Sequence, residues 1–195
     1  MGSRRRPAEQ PLQISLLRGI NVGGNRRIAM QQLRPVYESI GCRDVATHLQ
    51  SGNVVLRDER TPDQVSEAAE TAIQRDLGLD VRVIGRTARE VAATVAADPW
   101  PEADRDARHV VFLSRAPDAG AVAALRDAAA AGEAAELVGR DLHLLLPHGS
   151  GRTKLSQGLI ERRLRVVATA RNWRTVTKLA ELTAGDGAVQ VSSRR

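Results

Sequence analysis

Leu12-Gln13-Ile14-Ser15-Leu16-Leu17 is a short apolar run, and it predicts a buried strand. A glycine-rich loop, Gly19 to Arg27, follows it. Met30, Leu33, Val36, Tyr37 and Ile40 then recur at helical spacing, and Gly41 marks the C-terminal stop. Val45 to Leu49 and Asn53 to Arg57 predict two strands about a tight turn at Ser51-Gly52. Thr61-Pro62 predicts a helix start, with Thr61 as N-cap and Pro62 in the first turn, where a missing amide costs nothing. Val65, Ala68, Ala69, Ala72, Ile73 and Leu77 line the apolar side of that helix, and Val81 to Ile84 closes the unit as a strand.

The resulting order, β-α-β-β-α-β, is the split βαβ or ferredoxin-like arrangement. Thr87 to Ala97 predicts a connecting helix, ended by Asp98-Pro99-Trp100-Pro101. The order then repeats. His109 to Leu113 predicts a strand, Asp118 to Ala131 an alanine-rich helix, and 134–138 with 142–146 a hairpin around Gly139-Arg140-Asp141. Lys154 to Leu164 predicts a helix with Thr153 as its cap, Val166 to Ala168 a short last strand, and Ala170 to Leu182 a final helix. The fold expected is α+β: tandem ferredoxin-like subdomains with an extra connecting helix and a C-terminal helix. The expected division is a tail at 1–10, a first subdomain at 11–86, a connector at 87–107, a second subdomain with its helix at 108–184, and a tail at 185–195.

In such a sheet the first and second strands run parallel, so the loop after one and the turn after the other share an edge. That topology places Gly19–Arg27 beside Ser51-Gly52-Asn53.

Composition narrows the class. Among 195 residues, 42% are hydrophobic and 27% charged, an ordinary globular mix. No apolar run approaches a membrane span, and the charged start lacks an apolar signal core, so a cytoplasmic location is expected. One cysteine, Cys42, excludes a disulfide framework. The formal charge is +6, and it is local: residues 152–178 hold eight basic groups against one acid, Glu161. That excess fits either an anionic partner or a solvated helical face.

Three segments carry candidate chemistry. The first loop offers Arg18, Asn21, Gly23 and Gly24 before a helix N-terminus, where amides and dipole favour an anion. The same residues also suit a tight turn. Ser51 and Asn53 join it through the shared edge. Arg152, Thr153 and Lys154 form a second glycine-flanked approach to a helix, though in neither loop does the order match a dinucleotide or P-loop motif. In the final helix Arg171, Arg174 and Lys178 fall at i, i+3 and i+7, one face, with Asn172 near its boundary and Trp173, Val176 and Ala180 on the apolar face. The four histidines lack metal-ligand spacing, no cofactor motif is present, and no residue set assigns a catalytic role.

Leu16 to Gly24 resembles the opening signature of the DUF 1697 family (domain of unknown function 1697). The likeness continues through Met30, Leu33, Gly41, Thr47 and Gln50 to Val55, resumes at Gly151 to Leu155, and ends over Ala168 to Leu179. Thr153 stands where serine is usual, Trp100 where phenylalanine is common, and His48 and His143 where tyrosine is common. Arg174 replaces a usual asparagine. The resemblance implies a bacterial-type protein and a shared fold, and supplies no activity.

Three functions compete. One is a module binding a phosphorylated or nucleotide-like anion. Another is nucleic-acid binding through phosphate contacts; Phe112 is the lone strand aromatic, which counts against base stacking on a sheet. The third is a structural or protein-interaction role, which predicts that Arg18, Asn21 and Arg171 are buried and paired within the protein.

Overall fold

The computed structural model describes residues 10–22 and 27–184. Gly23, Gly24 and nearly all of both expected tails lie outside the described residues.

Strand β1 (Leu12–Leu17) is buried along its whole length because it is central and covered on both faces. It pairs antiparallel with β3 (Asn53–Arg57) on one side and β4 (Val83–Thr87) on the other. Strand β2 (Arg43–His48) extends β3, giving the order β2-β3-β1-β4. Both β1 and β2 oppose β3, so they point the same way. A second antiparallel sheet has the order β6-β7-β5-β8, from β5 (Arg108–Leu113), β6 (Ala134–Val138), β7 (Asp141–Leu145) and β8 (Ala168–Asn172). The two sheets repeat in register: Leu17 faces Val83 in the first, and Leu113 faces Ala168 in the second.

Alternation along the strands assigns the faces. Leu17, Val54, Leu56 and Val83 meet α1 (Met30–Ser39) and α2 (Pro62–Leu77) through Leu33, Tyr37 and Ile73. Val111, Leu113, Leu142 and Leu144 meet α4 (Ala119–Arg126) and α5 (Gln157–Leu164) through Leu125 and Ile160. The opposite faces turn toward each other. Ile14, Leu16, Val55 and Ile84 form a third core with Val110 and Phe112, shared with α3 (Ala88–Ala96) and α6 (Trp173–Thr183) through Val91, Trp173, Val176 and Leu179. The result is a mixed α+β protein of two similar subdomains joined across an apolar layer.

Local chemistry sets the helix ends. Thr61 Oγ1 accepts from the Gln64 amide at 3.3 Å, and Gln64 Oε1 accepts from the Thr61 amide at 3.0 Å. Gly78, at φ 68°, takes the left-handed position that ends α2.

Several boundaries differ from the sequence expectation. Strand β2 starts at Arg43 rather than Val45, and β4 starts at Val83 and runs through Gly85-Arg86-Thr87, polar residues that read as the end of a strand. Helix α4 stops at Arg126, short of Ala131. Thr153 does not cap α5. Its Oγ1 accepts from the Leu155 amide at 2.9 Å, and Ser156 is the N-cap. The largest correction is at the last strand, which covers Ala168–Asn172 rather than 166–168 and carries Arg171. Asn172 caps α6, its Oδ1 accepting from the Thr175 amide at 2.8 Å, so the helix begins at Trp173. Arg171 therefore does not share a helical face with Arg174 and Lys178.

Candidate functional site

The loop after β1 and the turn after β2 meet, as the topology requires. The Leu17 amide donates to Gly52 O at 2.8 Å. Gly52 sits at φ 77°, and a Cβ there would lie 2.6 Å from Ile20 Cδ1. Glycine is thus required both for the backbone angle and for the close approach of the two segments. Asn21, itself at φ 56°, holds the loop: its Nδ2 donates to Ile28 O at 3.0 Å and Gln50 O at 2.7 Å, and its Oδ1 accepts from the Ile28 amide at 3.0 Å. Those bonds occupy the Asn21 amide with backbone.

Arg171 reaches across the apolar layer into this junction. Its Nε donates to Asn53 Oδ1 at 2.6 Å. Its Nη2 donates to Leu17 O, Ser51 O and Gly52 O at 3.0, 2.9 and 3.2 Å. Its Nη1 donates to Thr169 Oγ1 and Ala170 O, both at 2.8 Å. Asn53, fully buried, donates in turn to His48 O at 2.8 Å and Ser51 Oγ at 3.1 Å. All of the Arg171 acceptors are neutral. Burial pushes its guanidinium down to about 10, which leaves it cationic at neutral pH.

A second arginine, absent from the sequence candidates, does the same in the other direction. Arg86 on β4 is 0% exposed. Its Nε and Nη2 donate to Asp141 Oδ1 at 3.0 and 2.7 Å. Its Nη2 also donates to Leu113 O at 2.8 Å and Arg140 O at 3.1 Å, and its Nη1 to Gly85 O at 2.8 Å. Thr94 Oγ1 donates to Asp141 Oδ2 at 2.5 Å. Burial lowers the Arg86 pKa, and Asp141 opposes that fall. No motif announces Arg86, because its partners lie far along the chain.

The remaining candidates divide. Arg18 forms a two-pronged ion pair with Glu161, Nε to Oε1 at 2.7 Å and Nη2 to Oε2 at 2.6 Å, tying the first loop to α5. The bond to Glu161 raises the Arg18 pKa. Burial works to raise the Glu161 carboxyl, but the bonds from Arg18 and the Ala168 amide overcome it and hold it low. Arg18 and Asn21 are half-buried and Arg171 is buried, and all three are paired within the protein. Lys178 pairs with Glu181 at 3.1 Å. Burial, and secondarily the charge of Lys178, lowers the His48 pKa, so α6 does approach the end of β2. Arg174 pairs with Asp106 at 2.8 Å. Arg152 and Lys154 are exposed, and among the described residues no hydrogen bond or ion pair links them or Thr153 to the first loop.

A cavity of about 440 Å3 opens beside this junction, lined by Asn21, Arg27, Ile28, Ala29 and Gln50. It lies at the N-terminus of α1. Ala29 is the N-cap, its amide donating to Gln32 Oε1 at 3.1 Å, and the first turn carries no acidic residue. Amides at such an end, with an arginine alongside, favour an anion.

Cys42 is buried, and burial with its hydrogen bond to Asp58 pushes the thiol up to about 12. Among the described residues no group of three or more His, Cys, Asp or Glu side chains converges, and no helix is long and apolar enough to cross a membrane. Phe112 is 0% exposed, with the Arg86 guanidinium 5.6 Å from its ring centroid, so it offers no stacking surface.

Comparison with known proteins agrees with this architecture. No protein of curated function matches the chain significantly. The solved structure of the conserved bacterial protein SP0830 from Streptococcus pneumoniae superposes with a TM-score of 0.71 at 21% identity, covering 88% of this chain and 98% of that one. That likeness is one of fold. A family model described as "Protein of unknown function (DUF1697)" matches residues 12–143, about two thirds of the sequence. The chain belongs to the DUF1697 family.

Proposed function

We propose that this protein is a cytoplasmic binding module for a phosphorylated or nucleotide-like anion, taken at the cavity beside the first loop. The carrying observation is the cavity of about 440 Å3, where Arg27 and the start of α1, with no acidic residue in its first turn, meet Asn21 and Gln50. A volume of this order suits a small ligand. In this reading Arg27 and the first-turn amides touch the anion. Asn21, Ser51, Asn53 and Arg171 shape the wall behind it, and Arg152, Thr153, Lys154, Asn172 and Lys178 stand outside. Each subdomain is a ferredoxin-like unit, 11–86 and 108–184, with 87–107 between them.

The test is a thermal-shift panel of nucleotides, sugar phosphates and inorganic phosphate at fixed salt. Saturable stabilisation is expected from at least one phosphorylated compound, since a ligand of the native state raises Tm with concentration. Arg27→Glu is expected to abolish the shift without lowering the unliganded Tm. A silent panel would overturn this reading.

A silent panel would favour the structural alternative, in which the family motifs only join the subdomains. One observation supports it: Arg18, Asn21 and Arg171 all spend their polar groups within the protein.

A further inference from the structure

The two inter-subdomain arginines occupy equivalent places. Each is the fourth residue of the last strand of its sheet, and each precedes the N-cap of the following helix, Thr87 or Asn172. Arg86 pairs in register with Ile14, and Arg171 with Val110, the third residues of β1 and β5. Four of their hydrogen bonds correspond; Arg171 adds two of its own, Nη1 to Thr169 Oγ1 at 2.8 Å and Nη2 to Ser51 O at 2.9 Å. Nη1 goes to the preceding carbonyl, of Gly85 or Ala170, at 2.8 Å in both. Nη2 goes to the last residue of the other central strand, Leu113 O or Leu17 O. It also goes to the residue before the opposing strand, Arg140 O or Gly52 O. Nε goes to the first side chain of that strand, Asp141 or Asn53.

Among the corresponding bonds the chemical type differs at one, the acceptor of Nε. Arg86 meets a carboxylate and Arg171 meets an amide. One junction is electrically closed, and the other holds a buried cation whose described hydrogen-bond acceptors are all neutral. Solvating such a charge by neutral dipoles alone is costly, and a nearby anion would relieve that cost. The open junction is the one beside the cavity. Arg171 Nη2 binds Ser51 O at 2.9 Å, and the adjacent Gln50 lines the cavity while accepting from Asn21 at 2.7 Å.

We propose that Arg171 is a positioning residue whose uncompensated charge selects a phosphate-class anion for the cavity, and that the Asn53 amide keeps that charge available. The bound phosphate supplies through space a countercharge of the sign that Asp141 supplies to Arg86 by contact. This rests on the binding reading above and adds to it the source of the site's charge.

The experiment places a carboxylate on Arg171 from either side. Asn53→Asp offers one to Nε, and Thr169→Asp offers one to Nη1, where the threonine hydroxyl now accepts. Inorganic phosphate is the probe, titrated by calorimetry at low, fixed ionic strength so that screening stays small. Cancelling that unit charge is expected to weaken phosphate binding about tenfold. Asn53→Asp also sets a carboxylate oxygen against His48 O, so the unliganded Tm is expected to hold in Thr169→Asp, where the buried guanidinium gains an ion pair. A purely structural role would move the Tm and leave the affinity alone. Wild-type affinity in a variant that melts cooperatively would overturn the proposal while sparing the binding site. No phosphate binding by the wild type would overturn both. Loss of cooperative melting in both variants would also overturn it, since the neutral acceptors would then serve the fold itself.

Discussion

Asp141→Ala isolates the closed junction. Arg86 and Asp141 have side-chain exposures of 0% and 6%, so neither charge can turn to water once its partner is gone. The alanine variant leaves the guanidinium with the carbonyls of Gly85, Leu113 and Arg140, and the Thr94 hydroxyl with Glu90 O alone. Removing one member of a buried pair costs about 3–5 kcal/mol. For a chain of this size each kcal/mol moves Tm by about 2–4 °C, so a fall of roughly 10 °C is expected. Asp141→Asn should cost less, about 1–3 kcal/mol, because an amide oxygen still accepts, as Asn53 does for Arg171. Replacing both partners, Arg86→Met with Asp141→Leu, should recover most of the loss, because no charge is then left buried alone. Urea unfolding followed by circular dichroism and tryptophan fluorescence measures all four proteins. An alanine variant within about 1 kcal/mol of wild type, or a double variant weaker than the alanine variant, would show that Asp141 does not balance a buried charge.

The same geometry makes further predictions. At Gly85 a Cβ would lie 2.4 Å from Pro62 O, backbone that cannot swing aside, so Gly85→Ala should cost about 1–3 kcal/mol by thermal unfolding. The bonds from Arg60 hold the Asp58 carboxyl at about 2, below its unfolded value near 3.9. A depressed carboxyl stabilises above its unfolded pKa, and that contribution is lost as pH falls from about 4 to about 2. Asp58→Asn should flatten this part of the acid limb, and an unchanged limb would contradict the pairing. Cys42, with its thiol pushed up to about 12, should resist thiol reagents at pH 8 until denaturant is added. Rapid labelling of the folded protein would contradict its burial.

Legibility in the sequence followed locality. The start of α2 was readable because Thr61, Pro62 and Gln64 act within one turn, and β3 because a short apolar run follows a turn. The meeting of the first loop with Ser51–Asn53 followed from strand direction alone. The placement of Arg171 did not. Thr169 and Arg171 are buried on alternate positions of β8, but a buried threonine and arginine carry no apolar signal. Helical spacing therefore took Arg171 into α6. Arg86 and Asp141 were passed over for the same reason. Their polarity reads as surface, and only the second sheet, packed on the first, makes them interior. Thr153 read as a cap from its residue type, while Ser156, closer to the first apolar turn, takes that place.

On the reading proposed above, the cavity at the start of α1 takes an anion, with the arginine junctions as its frame. Backbone amide chemical shifts recorded while inorganic phosphate is added test it most directly. Saturable shifts are expected at Asn21, Ile28, Ala29 and Gln50, with Arg152 and Lys154 unmoved. Saturable shifts centred on Arg152 to Lys154, or none at all, would contradict it.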